Sequence, residues 1–150
     1  MMPSLRPARA EDAQTIHDLV WKAKINPSGL KWERFIVAVS PEGEVIGCGQ
    51  IKPHADGTQE LASIVIAPAW QGKGLARAII EHLIASHPGE LYLMCLAGLR
   101  PLYEKFGFRV LAEDEMPPYI RRLKRLTKIA EVVMQQGEIL LAMKREESAL

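Results

Sequence analysis

Apolar residues spaced alternately or at helical intervals divide the 150-residue chain into short strands and amphipathic helices. Leu5-Arg6-Pro7-Ala8 predicts a brief first strand, confined to an edge because Pro7 has no N–H to donate. Ala13, Ile16, Leu19, Val20 and Ala23 share one helical face, which predicts a helix over Ala10–Ile25. Glu11 and Asp12 suit its positive end, and Asn26-Pro27-Ser28-Gly29 breaks it. Residues 30–34 allow one helical turn. Phe35–Val39 and Glu44–Ile51 read as strands joined at Ser40-Pro41-Glu42-Gly43, a hairpin. Pro53–Thr58, with Asp56-Gly57 at its centre, is the next turn, and Glu60–Ala67 extends the antiparallel meander.

Helical spacing returns in Leu75, Ala76, Ile79, Ile80, Leu83 and Ile84, predicting a helix over Gly72–Ser86 that His87-Pro88-Gly89 stops. Glu90–Ala97 is an apolar strand, and a right-handed crossover lays it parallel to Glu60–Ala67. A short helix from Gly98 holds Leu102–Phe106, tolerating Pro101 only in its first turn, and Gly107–Leu111 is a further strand. The polar, proline-bearing Glu113–Pro118 leads into a helix over Tyr119–Gln135. Ile120, Leu123, Leu126, Ala130 and Val133 form its apolar face, which must be covered by the chain's own sheet or by a second copy. Arg121, Arg122, Lys124, Arg125 and Lys128 form the other face, expected in solvent. Gly137 ends that helix and Glu138–Met143 closes the chain as a last strand.

Composition narrows the class. With 48% hydrophobic and 25% charged residues the chain resembles an ordinary globular protein, and 150 residues suffice for a single domain over 1–150. A net charge of +1 supplies no overall field for nucleic acid or for an anionic membrane, so neither partner is expected. No signal-peptide pattern and no apolar run long enough for a membrane span are present, which leads to the expectation of a cytoplasmic protein. Cys48 and Cys95 sit in apolar strand-like runs, as small buried hydrophobes do, and no metal-ligand spacing links them to the four histidines.

The candidate chemistry centres on Glu60–Ala76, which reads strand, glycine-bearing turn, helix. The first N–H groups of a helix lack intrahelical partners and favour an anion, and glycines at 72 and 74 remove the Cβ atoms that would hold a phosphate off the backbone. Neither the Walker nor the dinucleotide pattern fits, since Leu75 and Arg77 stand where a hydroxyl and a glycine are needed. What fits is Gln/Arg-x-x-Gly-x-Gly/Ala, met by Gln71, Gly74 and Ala76. This stretch resembles the coenzyme A loop of the GNAT superfamily of N-acetyltransferases. Leu102-Tyr103-Glu104-Lys105-Phe106-Gly107-Phe108 resembles the same family's L-Y-x-x-x-G-F signature, one helix and one strand downstream as that fold requires.

The resemblance implies a mixed α/β fold: a central sheet, made of an antiparallel meander plus a parallel strand pair, flanked by helices. It also implies acetyl-CoA as the acyl donor, no metal, and an amine acceptor, either a small molecule or a protein amine. On that reading the backbone of Ile64, Val65 and Ile66 pairs with the pantetheine arm and polarises the acetyl carbonyl. Gln71, Gly72, Lys73, Gly74, Leu75 and Ala76 hold the pyrophosphate. Tyr103 protonates the departing thiolate, its phenol near ~10 being protonated at neutral pH. An amine of pKa about 10.4 must first lose a proton. Glu60 is the candidate base, directly or through water, with His54 as its alternative; His17, His82 and His87 read as structural. The family's asparagine seven residues before the tyrosine is Leu96 here, and the helix over Tyr119–Gln135 is longer than the family's usual connection. It lies where two copies could meet, so a homodimer is expected.

Two other functions fit the same residues: a silent acyl-CoA-binding module regulating a partner, and a binder of anionic surfaces using the basic helix. Retention of Tyr103 favours the enzyme. Residues 112–150 carry seven basic and seven acidic side chains, so the basic face reads as solvated.

Overall fold

The computed structural model describes residues 2–134 and 139–146, and for residues 127–134 the helix backbone alone. Gln135, Gly137 and Glu138 lie outside the described residues, as do the side chains of Lys128, Ala130 and Val133. The elements run β1 (Ser4–Pro7), α1 (Ala13–Lys22), β2 (Phe35–Val39), β3 (Val45–Pro53), β4 (Gln59–Ile66), α2 (Leu75–Ala85), β5 (Leu91–Leu96), α3 (Arg100–Glu104), β6 (Phe108–Val110), α4 (Pro118–Met134) and β7 (Leu140–Arg145). The strands order as β1-β2-β3-β4-β5-β7-β6 in a mixed sheet. Two compact units are present, Met1–Lys52 with Leu61–His87, and Pro53–Glu60 with Pro88–Leu150.

In the first unit, β2 pairs antiparallel with β1 (Ser4↔Val39 to Pro7↔Ile36) and with β3 (Phe35↔Gln50 to Val39↔Val45), with a bulge at Ala38/Val39. Alternate strand residues face alternate sides. Phe35, Val37, Cys48 and Val65 meet Ile16 and Val20 of α1, two residues four apart and so on one helix face. Next to Cys48, Gly49 faces the other way. A Cβ there would lie 2.6 Å from Ile79 Cγ2 and 2.7 Å from Ile64 Cδ1, so the glycine is what lets α2 approach β3. Asp12 fixes the entry to α1 by accepting from both Arg6 guanidinium nitrogens, at 2.7 and 3.2 Å, and from the Arg9 amide at 2.7 Å. The Arg6 bond holds the Asp12 carboxyl below its usual range.

Helix α1 stops three residues short of the expected Ile25. Lys24 has φ 57, a left-handed conformation no sequence pattern announces, and its amide closes back on the Trp21 carbonyl at 3.1 Å. Helix α2 begins at Leu75 rather than Gly72, because φ of 78 and 81 at Gly72 and Gly74 is incompatible with a right-handed helix.

In the second unit, Glu60 of β4 pairs parallel with Tyr92 of β5. β7 pairs antiparallel with β5 (Leu91↔Arg145 to Leu96↔Leu140) and with β6 (Phe108↔Arg145 to Val110↔Met143), and therefore lies between them. Leu111, Met116, Ile120 and Ala142 form a second core, with Tyr92, Met94 and Tyr119 against it. Within the chain Leu126 is 59% exposed, so its own sheet does not cover the whole expected stripe and the intramolecular apolar seam is led by Ile120. One expectation for α4 needs correcting. Arg121 and Lys124 are half-buried rather than solvated, since they donate to the carbonyls of Met116 and Leu140. Arg122 and Arg125 are exposed as expected.

Candidate active site

At the end of β4 the Ala67 amide donates to the Ile46 carbonyl at 2.8 Å, and a 3-10 turn over Pro68–Trp70 redirects the chain. The Gln71 side-chain amide reaches back and donates to the Ile66 carbonyl at 3.0 Å, tying the glycine turn to the strand. Gln71, Gly72, Lys73 and Gly74 are exposed, whereas Leu75 is buried and anchors the helix start; Ala76 is half-buried. Gly74 is the N-cap of α2 and supplies no side-chain cap, and the helical ladder starts only with the Ala78 amide on the Gly74 carbonyl at 3.1 Å. A Cβ at Gly72 or Gly74 would meet nothing within 4 Å. The turn is thus a backbone cradle open to solvent at the positive end of a helix, a fit for a pyrophosphate. Upstream, Ile64 is half-buried, Val65 and Ile66 are buried, and Ser63 has φ 59. That left-handed residue directly precedes the three residues expected to face an acyl arm.

The β3–β4 hairpin carries the titratable groups. His54 closes it, its amide donating to the Thr58 carbonyl at 2.9 Å. His54 Nε2 lies 2.8 Å from Glu60 Oε1, with side chains only 12% and 8% exposed. An ionised carboxylate only accepts, so Nε2 carries the hydrogen in this pair. The two alternative bases of the sequence are therefore one hydrogen-bonded unit. Tyr119, at the start of α4, stacks on the His54 ring with centroids 3.5 Å apart and planes at 18°. Burial first, and then the Glu60 carboxylate, raise the Tyr119 phenol above its ordinary pKa. Asp56 accepts from the Thr58 and Tyr119 amides, each at 2.9 Å. Its hydrogen bonds, led by Thr58, bring the carboxyl down to about 2. Neither Tyr119 nor Asp56 was singled out as functional from the sequence. The one available signal was an aromatic residue directly after Pro117-Pro118 at a helix start.

Tyr103 sits on α3 with Pro101 in that helix's first turn, and it is 8% exposed. Its ring meets Phe108 edge-on at 6.0 Å and 77°. Burial, with a smaller contribution from the Cys95 thiol, pushes the phenol up to about 12, so it is a proton holder across the whole neutral range. Cys48 and Cys95 are free and buried, and burial pushes the Cys48 thiol up to about 12. Among the described residues no group of three or more His, Cys, Asp or Glu is placed to hold a metal ion. No helix among them is long and apolar enough to cross a membrane.

Residues 31–110 match the family model of the acetyltransferase (GNAT) domain. Among solved structures, the chain is similar to N-acetylglutamate synthase from Neisseria gonorrhoeae, complexed with coenzyme A and N-acetyl-glutamate. The TM-score is 0.76 at 18% identity, over 99% of this chain and 36% of the synthase, so the chain spans little more than a third of that protein. Rv2747 from Mycobacterium tuberculosis, in complex with CoA and NLQ, gives a TM-score of 0.72 at 19% identity, over 97% of this chain and 100% of the other. The ribosomal-protein-S18-alanine N-acetyltransferase from Escherichia coli gives 0.71 at 19% identity, over 99% and 96%.

Proposed function

The chain belongs to the GNAT acetyltransferase family, and from that premise we propose that it moves an acetyl group from acetyl-CoA to a primary amine by direct attack. The observation that carries the reading is the cradle at Gly72–Ala76. Gly74 caps α2 at φ 81 with no side-chain bond of its own and open space where a Cβ would stand. An anion of the coenzyme binds there through backbone N–H groups.

In the reaction, the acceptor ammonium gives a proton to the Glu60 carboxylate, directly or through water, while His54 Nε2 steadies that carboxylate. The freed nitrogen lone pair attacks the acetyl carbon. Backbone N–H groups of Ile64–Ile66 stabilise the negative oxygen of the tetrahedral intermediate. The C–S bond then breaks as Tyr103 delivers its hydroxyl proton to the departing sulfur, and the second proton of the new amide nitrogen passes through water to restore the Tyr103 hydroxyl. Direct attack, rather than a covalent acetyl-enzyme, is supported by the buried thiols. Cys48, with its pKa near 12, offers no thiolate to take the acetyl group, and burial raises Cys95 too. A homodimer through α4 belongs to the same reading, supported by the exposed Leu126. Light scattering at micromolar concentration tests it, and a monomer there removes it.

The test of the central claim is Gly74→Val, which puts a β-branched residue at positive φ over the cradle. Calorimetry should show coenzyme A binding weakened at least tenfold, an order-of-magnitude loss, by obstructing the backbone contact. Unchanged affinity in a folded variant would remove this turn as the coenzyme site.

A further inference from the structure

We propose that the acceptor amine also carries a carboxylate, held by the arginine-lined hollow at the start of α4. This rests on the acetyl-transfer reading and narrows its acceptor to amino acids and related amino acids' analogues, small molecules with an amine and an acid group together.

The hollow measures about 280 Å³ and is lined by Pro118, Arg121, Arg122 and Arg125. Bringing three guanidinium groups together there carries an electrostatic cost. Arg121 and Arg125 are four residues apart and Arg122 and Arg125 three apart, both spacings at which like charges on a helix repel. Arg121 also lies in the first turn of α4, where the helix dipole is positive and cations are disfavoured. The surroundings offset this only in part. Arg121 Nη2 donates to the Met116 carbonyl at 3.0 Å, a neutral acceptor. Arg125 Nη2 stands 3.6 Å from Glu113 Oε1, an exposed pair beyond hydrogen-bond length. No acidic side chain is among the lining residues. A local electrostatic conflict of this kind is where function is expected to sit.

The chemistry selects the ligand. Guanidinium groups present paired N–H donors in a plane, matched to the two oxygens of a carboxylate. The hollow is local and small, and residues 112–150 carry seven acidic side chains beside their seven basic ones, which argues against a long polyanion. Its location links it to the proton acceptor. Tyr119 directly follows Pro118 of the lining, and its ring stacks on His54, the partner of Glu60. The Arg122 charge is felt at the Tyr119 hydroxyl, as is that of Glu60. The Tyr119 hydroxyl thus feels both the proposed base and an arginine of the hollow, all within the second unit.

The experiment uses the full chain with acetyl-CoA and follows thiol release. Glycine, L-aspartate and L-glutamate are compared with their methyl esters, phosphoethanolamine and an unmodified peptide amine. At least one free acid should be acetylated with kcat/KM at least tenfold above its ester. Arg122→Gln should raise the KM for that acid at least tenfold, leaving the KM for acetyl-CoA and the unfolding midpoint in place. Arg122→Lys should restore part of the loss, keeping charge without the paired donors. Equal use of acid and ester, or a parent-like KM in folded Arg122→Gln, overturns the inference and leaves acetyl transfer standing. Preference for phosphoethanolamine or for the peptide overturns the carboxylate assignment in the same way. Acetylation of none of these amines, in a protein that still binds coenzyme A, takes down the transfer reading and this inference with it.

Discussion

In the proposed reaction Tyr103 gives a proton and Glu60 takes one, and both are buried. Burial holds the Tyr103 phenol near 12, above its ordinary value of 10.0, so below pH ~10 the hydroxyl is protonated in both folded and unfolded chains. The raised pKa means that burial destabilises the fold only at alkaline pH. Tyr103 should contribute to a decline in stability as pH climbs from ~10 through about 12, a range in which the buried Cys48 also contributes, and Tyr103→Phe should make that decline shallower. The same variant keeps the ring against Phe108. It should lower kcat by ~100- to 10,000-fold with little change in the KM for acetyl-CoA, the mark of an interaction made in the transition state. A drop of less than about threefold in a stable protein assigns leaving-group protonation to water instead. Glu60→Gln leaves an oxygen to accept from His54 Nε2 and removes only the proton-accepting charge. Its kcat should fall by a similar ~100-fold or more, and parent-like turnover would sink the base assignment. Tyr103 and the glycine turn could be proposed from the sequence because their motifs rest on local spacing, and Glu60 from its place near the start of β4. Tyr119 and Asp56 could not be, because their meeting joins residues 63 apart in sequence.

At the level of elements, α4 is fastened to the β3–β4 hairpin by Asp56 and by the ring stack of Tyr119 on His54. Asp56 has its carboxyl lowered from 3.8 to about 2, so the fastening is complete above pH ~4 and is lost as pH falls through about 2. Hydrogen exchange at the Tyr119 amide should accelerate across that acid range, and at neutral pH in Asp56→Ala. That variant should lose about 1 kcal/mol, typical of hydrogen bonds to a partly solvated group. Parent-like exchange in Asp56→Ala would show the helix to be held elsewhere. Element type was readable throughout from apolar period, but some ends were not. Lys24 leaves α1 early through a left-handed turn that lysine does not advertise. The position of β7 between β5 and β6 depends on pairing between distant segments, which periodicity does not encode.

For the molecule as a whole, the mixed sheet follows from the meander and the Glu60↔Tyr92 parallel pairing, both readable from strand, turn and crossover signals. Its interior also determines how the protein must behave toward thiol reagents. Cys48 is 0% exposed and Cys95 5%, and burial raises both thiols away from the reactive thiolate. An aromatic disulfide added to the native protein at pH 8 should therefore give almost no colour of its own, and two equivalents once denaturant opens the fold. Coenzyme release can then be read continuously against a dark background, with no cysteine replaced beforehand. A slow rise in the absence of any amine would time the opening of the sheet rather than catalysis, making the two buried sulfurs a built-in clock for unfolding.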